Sequence, residues 1–216
     1  MTLPGPPTAT IIIPTLDFDR GAYLMRGAQA TAGVPTAAAL VADGARRGST
    51  ICGNAAMASA MALQTPFVAY LNDDLGLMSP GWLRAMIDEL NLRSTYGIAV
   101  PGGPCRTPPQ STAKPPPNMM ERPWMGSEAH PAGHQVVKEI SMFCAVIKRE
   151  LLHDLGTFWH GAFIHYGNDS DFRARAQAAG WQCIWVRHVY VEHDLGAYID
   201  EWKECDREAY RRRWGK

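Results

Sequence analysis

The sequence has no excess charge of either sign: Lys and Arg number 21, and so do Asp and Glu. That balance argues against a uniformly basic nucleic-acid binder and against a polyacidic tail protein, while leaving local patches open. Cysteine is sparse and scattered. Cys52, Cys105, Cys144, Cys183 and Cys205 make an odd, widely spaced set without a CxxC pair. The pattern speaks against a disulfide framework or a zinc ribbon and favours a reducing, cytoplasmic setting. Cys52, Cys144 and Cys183 lie among apolar neighbours and read as small core residues. Long apolar runs are also missing. The most apolar stretch, Ala55 to Leu71, is broken by Ser59, Gln64, Thr65 and Pro66, so it falls short of the roughly 20 continuous apolar residues of a membrane span. The start, Met1 to Pro7, has neither a basic region nor an apolar segment, so no signal peptide is expected. There is no GxGxxG. Gly44 to Thr50 has the look of a phosphate loop but the wrong spacing and no lysine, so it is not a Walker A motif.

What is present is 216 residues, 46 % hydrophobic and 19 % charged. That is enough chain for one domain with its own core. Thr10 to Pro14 is a β-branched run closed by proline and predicts a buried first strand. A helix is expected over Asp19–Thr31, a strand over Ala37–Ala42 ending at Asp43-Gly44, a helix over Asn54–Leu63, and a strand over Phe67–Leu71. Ser79-Pro80 predicts an N-cap and first-turn proline for a helix over Gly81–Leu92. Its apolar face is Trp82, Leu83, Met86, Ile87 and Leu90. Tyr96–Val100 reads as a strand. Eight of the sixteen prolines then fall between Pro101 and Pro123, which marks a long loop. Val136–Ile147 reads as one strand and is followed by a short helix. Asp169–Ala179 reads as a helix ended by Gly180, Trp181–Val191 as the last strand, and Ala197–Lys216 as a terminal helix. Strands alternating with helices predict an α/β fold with a mainly parallel sheet.

Ligands of open α/β sheets bind at the carboxyl ends of strands. Three such ends are polar here: Thr15 with Asp17, Asp43 with Gly44, and Asn72-Asp73-Asp74. Adjacent carboxylates after a buried strand repel one another and lose solvation, and a divalent cation with a taste for carboxylate oxygen relieves both costs. The competing reading is a solvated acidic turn or a helix cap. Asp169, in Gly167-Asn168-Asp169-Ser170-Asp171, fits a helix-start carboxylate and equally a general base. His193, at the end of the last strand, is either a hydrogen-bonded surface residue or a nitrogen ligand to the same metal as Asp74. His130 and His134 have helical spacing, but Pro131 and Gly133 between them preclude the helix that would present both.

Taken in order, these pieces resemble the family 2 glycosyltransferases with a GT-A fold. The resemblance rests on Ile11 to Thr15, on Asn54 within Gly53 to Ala60, on Phe67 to Asp74, on Gly167 to Phe172, on Ala179 to Trp181, and on Val191 to His193. It covers about residues 10–100 and 136–196. It implies a tail over 1–9, a Rossmann-like nucleotide-sugar-binding half over 10–100 and a Pro-rich loop near the active site over 101–135. An acceptor and catalytic half over 136–196 and a terminal helix over 197–216 follow, all in one domain. Asn72-Asp73-Asp74 is similar to the family's DxD motif. Asp74 would bind Mn²⁺ or Mg²⁺, with His193 completing the metal or diphosphate site. Asp73 would lie near the donor ribose or sugar, and Thr15, Asp17 and Asp43 would line the nucleoside pocket, with Asn54 and Asn72 among the donor contacts. Asp169 would be the catalytic base. Asn72 and Asn168 depart from the family pattern, which has carboxylates there.

The function expected is metal-dependent, inverting sugar transfer from a nucleoside-diphosphate sugar, UDP-linked first, to an acceptor hydroxyl. The acceptor is a glycan, a protein or a modified nucleic acid, and a homo-oligomer is admissible. The alternatives are a nucleotidyltransferase or other sugar-nucleotide enzyme, and a non-catalytic protein of the same fold. Trp124 reads as a stacking platform or as an anchor of its loop. Arg211 to Arg213 read as contacts to a phosphate-bearing acceptor or as a solvated helix end.

Overall fold

The computed structural model describes residues 5–102, 133–193 and 200–215. Most of the Pro-rich segment, with Trp124 and His130, therefore lies outside the described residues. The strands are β1 (Ala9–Thr15), β2 (Thr36–Ala42), β3 (Phe67–Leu71), β4 (Leu75–Met78), β5 (Tyr96–Gly102), β6 (His134–Val137), β7 (Cys144–Lys148) and β8 (Gln182–His193). The helices are α1 (Phe18–Thr31), α2 (Ser49–Ala62), α3 (Trp82–Leu90), α4 (Arg149–Leu155), α5 (Asn168–Ala178) and α6 (Asp200–Trp214).

One sheet runs in the order β2-β1-β3-β7-β5-β8-β4, with β6 also paired to β8. β1, β2, β3, β5 and β8 point the same way, while β7, β4 and β6 run against them. The mainly parallel α/β sheet expected from the alternation is thus present. Both faces are covered. Ile11 and Ile13 of β1 pack with Leu24 and Met25 of α1 and with the apolar face of α3. Ile12 faces the other way, toward Ala56 and Met57 of α2 and a layer including Leu151 of α4 and Phe172 of α5. A strand buried on both sides has no polar face to show, which is why Ile11-Ile12-Ile13 is uninterrupted.

Four local expectations change. The apolar run Val136–Ile147 is not one strand. β6 lies on the outer side of β8, whereas β7 inserts antiparallel between β3 and β5. The crossing between them keeps Ile140, Met142 and Phe143 buried, and this apolar content masks the break that Lys138, Glu139 and Ser141 punctuate. α2 begins at Ser49, five residues before Asn54. Ser79 does not cap α3. The cap is Gly81, in the left-handed region at φ 73°, because Ser79 is committed to β8, donating from N and Oγ to the Tyr190 carbonyl and accepting the Tyr190 N–H. β4 follows the acidic turn at once and carries no β-branched residue to announce it.

Candidate active site

The carboxyl ends of β1, β2 and β3 form one side of the site. Thr15 is buried, and its Oγ1 donates to Asp73 Oδ2 at 2.6 Å. The same carboxylate oxygen accepts the Leu16 N–H at 3.3 Å. Asp73 is thereby turned toward the end of β1. Asp17 is spent locally: its Oδ1 accepts the N–H groups of Asp19 and Arg20 and caps α1. Asp43 is 2 % exposed. Its Oδ2 accepts the Gly48 N–H at 3.0 Å, and Arg47 approaches its Oδ1 at 3.4 Å. Gly48 has φ 102°, and a Cβ there would lie 2.5 Å from the Ile164 carbonyl oxygen. Only glycine fits, and it brings the Asp43 loop against the segment that precedes α5. Cys52 is buried nearby, as its apolar neighbours suggested, and burial raises its thiol pKa.

Asp74 and His193 meet because of strand register. Leu75 of β4 pairs with His193 of β8, which sets the preceding carboxylate beside the imidazole. His193 Nε2 lies 3.3 Å from Asp74 Oδ1. The ring is stacked on Phe143, with centroids 4.7 Å apart and planes 12° from parallel. His193 is 6 % exposed, and its Nδ1 is buried with no hydrogen-bond partner among the described residues. The pair offers one oxygen and one nitrogen. Among the described residues, no three His, Cys, Asp or Glu side chains converge to hold a metal unaided. A carboxylate oxygen and an imidazole nitrogen are both donors that a divalent cation accepts, and such an ion would need phosphate or water to complete its shell.

Asp169 is the second residue of α5, whose N-cap is Gly167 at φ 75°. Its Oδ1 accepts the Ser170 N–H at 2.8 Å. The residue keeps part of its exposure, but protein surrounds the carboxyl closely enough that desolvation raises its pKa. Tyr70 of β3 links the two sides. Its hydroxyl is pushed above the ordinary tyrosine range, first by burial and then by the charges of Cys52, Asp74, Asp169 and Asp73. His165 is a further neighbour. Burial lowers its pKa, while Asp206 and Asp74 raise it.

Other expected residues sit differently. Both ends of the Asn54 amide are engaged by one backbone unit: Nδ2 donates to the Trp159 carbonyl at 2.9 Å and Oδ1 accepts the Trp159 N–H at 2.8 Å. Asn54 ties α2 to the aromatic cluster of Tyr70, Phe158, Trp159 and Phe172. The Asn72 N–H donates to Phe143 O at 2.8 Å, closing the site's floor onto β7. Asn168, next to Asp169, is buried and binds Ser49, Thr50 and the His165 carbonyl. The terminal arginines are paired within the chain: Arg211 and Arg212 with Glu204 or Glu208, and Arg213 with the fully buried Asp171. Arg211 and Arg212 match the solvated helix-end reading of that run, whereas Arg213 turns inward to a buried carboxylate. Sequence reasoning missed Tyr70, His165 and Asp206. Only Tyr70 carried a signal, as the one polar group within an apolar strand just ahead of the acidic turn.

No family model matches the chain, and no curated protein matches it in sequence. Among solved structures it is similar to that titled "Crystal structure of GalNAc-T7 with UDP, GalNAc and Mn2+", with a TM-score of 0.60 and 11 % identity. The match covers 88 % of this chain and 44 % of that one, so the chain spans under half of that protein's length. At such identity the likeness speaks to architecture. The central, mostly parallel sheet flanked by helices is that of a GT-A glycosyltransferase fold.

Proposed function

We propose that the chain is a metal-dependent glycosyltransferase that moves a sugar from a nucleoside-diphosphate sugar, UDP-linked first, to an acceptor hydroxyl with inversion. The observation that supports this reading is the contact of Asp74 with His193 next to the Thr15–Asp73 hydrogen bond, at the strand ends where such sheets bind ligands.

Thr15, Asp43 and Asp73 form the nucleoside end. Thr15 and the Leu16 N–H fix one oxygen of Asp73, which leaves the carboxylate's other oxygen for a ribose or sugar hydroxyl. Asp74 and His193 would hold Mn²⁺ or Mg²⁺. When bound, such an ion draws negative charge off the diphosphate. Asp169 takes the proton of the acceptor hydroxyl as that oxygen bonds to the anomeric carbon. The bond to the diphosphate breaks, and the nucleoside diphosphate departs with the electron pair. A carboxylate whose pKa is raised by burial suits this task, since a stronger base shares the proton better near neutrality.

The acceptor proposed is a glycan, a protein hydroxyl or a hydroxylated base. The paired terminal arginines lend no support to a phosphate-bearing acceptor at that end. Among the described residues, no helix is long and apolar enough to cross a membrane.

Calorimetry with UDP, with and without Mn²⁺, tests the nucleotide site, and a sugar-nucleotide screen reading released nucleoside diphosphate tests transfer. Metal-dependent UDP binding and release of nucleoside diphosphate are expected, and the product's anomeric configuration, read by NMR, tests inversion. Absence of nucleotide binding would remove the reading. Release of pyrophosphate would favour the nucleotidyltransferase alternative.

A further inference from the structure

We infer that Asp206, on α6, is a positioning residue for Asp169. The inference rests on the transferase reading above and adds to it the part that holds the base in place. Asp206 is 1 % exposed. A carboxylate buried to that degree is costly unless its lone pairs are filled. They are filled by backbone. Oδ1 accepts the Ile164 N–H at 2.6 Å, and Oδ2 accepts those of His165 at 2.9 Å and Tyr166 at 2.7 Å. Three successive N–H groups curled around one anion form a nest. Here the anion comes from the chain itself, some forty residues further on.

The segment so held runs through Gly167 directly into α5 and Asp169. The same helix grips the far side of the base as well. Asp171, fully buried, receives Arg213 Nε at 2.6 Å and Trp214 Nε1 at 3.0 Å from α6, together with Arg175 Nε at 2.8 Å from α5. On the opposite flank, the Thr50 N–H donates to Ile164 O, and Asn168 binds Ser49 and Thr50. Asp169 stands between these anchors, while its own carboxylate bonds the neighbouring Ser170 N–H. α6 therefore reaches the base through backbone placement. Among the described residues, none of Thr15, Asp43 or Asp73 receives a hydrogen bond from α6. A loosened nest should accordingly displace the base first, and reach the donor pocket only through the contact of Ile164 with Gly48 of the Asp43 loop.

The test compares wild type with Asp206→Asn and Arg213→Ala in three measurements: hydrogen exchange at the Ile164–Tyr166 amides, UDP affinity with Mn²⁺ by calorimetry, and kcat against donor KM. Asp206→Asn keeps the shape but removes the charge and turns one acceptor into a donor. The expected result is faster exchange at those amides and a kcat loss of about 10²-fold, the scale for misplacing a reacting group by about 1 Å. Donor KM and UDP affinity should change much less than kcat, since the nest meets the donor side only where Ile164 touches Gly48. Arg213→Ala leaves Asp171 with Arg175 and Trp214, so it should give the same split in milder form and carries the test if Asp206→Asn does not fold. Unchanged kcat in a folded variant whose amides exchange faster would overturn the inference. So would a loss of kcat that merely tracks loss of UDP affinity and melting temperature. A wild type that binds no UDP and turns over no sugar nucleotide removes the transferase reading, and with it the base that Asp206 is inferred to serve.

Discussion

The two sides of the proposed site, donor and base, are built by different means. At the donor side the sheet places the side chains. Thr15 ends β1, Asp43 follows β2, and the acidic turn follows β3, with adjacent strands bringing Thr15 and Asp73 to 2.6 Å. At the base side, side chains from distant helices hold a loop: Asp206 and Arg213 reach in from α6, and Ser49 and Thr50 from α2. Strand pairing distributes its hold over many backbone bonds, while a clamp concentrates it in a few buried polar contacts. The base side should therefore respond more sharply to single substitutions, and variants on each side can break or sharpen that contrast.

The largest effect is expected at Asp169. Asp169→Asn should lower kcat by roughly 10²–10⁴-fold, the contribution of a general base, with UDP affinity unchanged. Turnover near wild type in the folded variant would eliminate Asp169 as base. The raised pKa adds two further expectations. The acid limb of the rate profile should lie above the ordinary carboxylate range, because activity needs the deprotonated form. Stability runs the opposite way. A carboxyl whose pKa is raised by folding contributes stability that is full below the free value of about 3.9 and is lost as pH rises through the folded value. Asp169→Asn should thus melt higher than wild type at pH 7, with the gap closing in acid.

On the other side, Asp74→Ala should weaken metal-dependent UDP binding by about 10–100-fold, the scale seen when even the surroundings of a metal ligand are disturbed. Binding without Mn²⁺ should hardly change. Equal affinities with and without metal in the wild type would dissolve the distinction between the two sides, since Asp74 and His193 would then be a plain structural contact between β4 and β8.

Asn54 checks whether α2 belongs to the donor pocket or to the scaffold. Its amide is bonded at both ends to Trp159, so Asn54→Ala should cost about 1 kcal/mol of stability or somewhat more, by leaving the Trp159 backbone groups unpaired. Denaturant unfolding reads that loss. UDP affinity in the folded variant should hold, and a drop would return Asn54 to the donor contacts the family resemblance implied.

The contrast also governs what the sequence made legible. Strand ends are local events: Thr15, Asp43 and the Asn72–Asp74 turn each follow a visible apolar run, so their convergence follows from an α/β sheet. Asp74 and His193 were legible as a pair, through the one metal they were expected to share. The pairing that joins them was not, because it depends on β4, a four-residue strand whose Leu-Gly-Leu-Met resembles any apolar turn. Asp206 was hidden more deeply. It sits in a helix full of charged residues, among Glu204, Arg207 and Glu208, and nothing in composition separates the one buried carboxylate from its solvated neighbours. Only the backbone of residues 164–166 makes it special, and that backbone has no sequence signature.

The smallest effect is expected at the exposed arginines of α6, and its smallness is informative. Arg211 and Arg212 pair with Glu204 and Glu208 on one open helix face, where water and salt screen the attraction and ordering two long side chains offsets the rest. Arg213 is one residue away in sequence but points at Asp171, which has no exposure at all. Arg211→Ala and Arg212→Ala should leave melting temperature, UDP affinity and kcat where they are, while Arg213→Ala lowers kcat. The three positions form an internal control with the same residue type on the same turn. If all three variants lose activity together, and the loss with a nucleic-acid acceptor grows as salt falls, the arginine run serves the acceptor rather than the clamp. If only Arg213 matters, at any salt, what α6 contributes is the buried contact to Asp171, and the charge displayed on its surface is incidental.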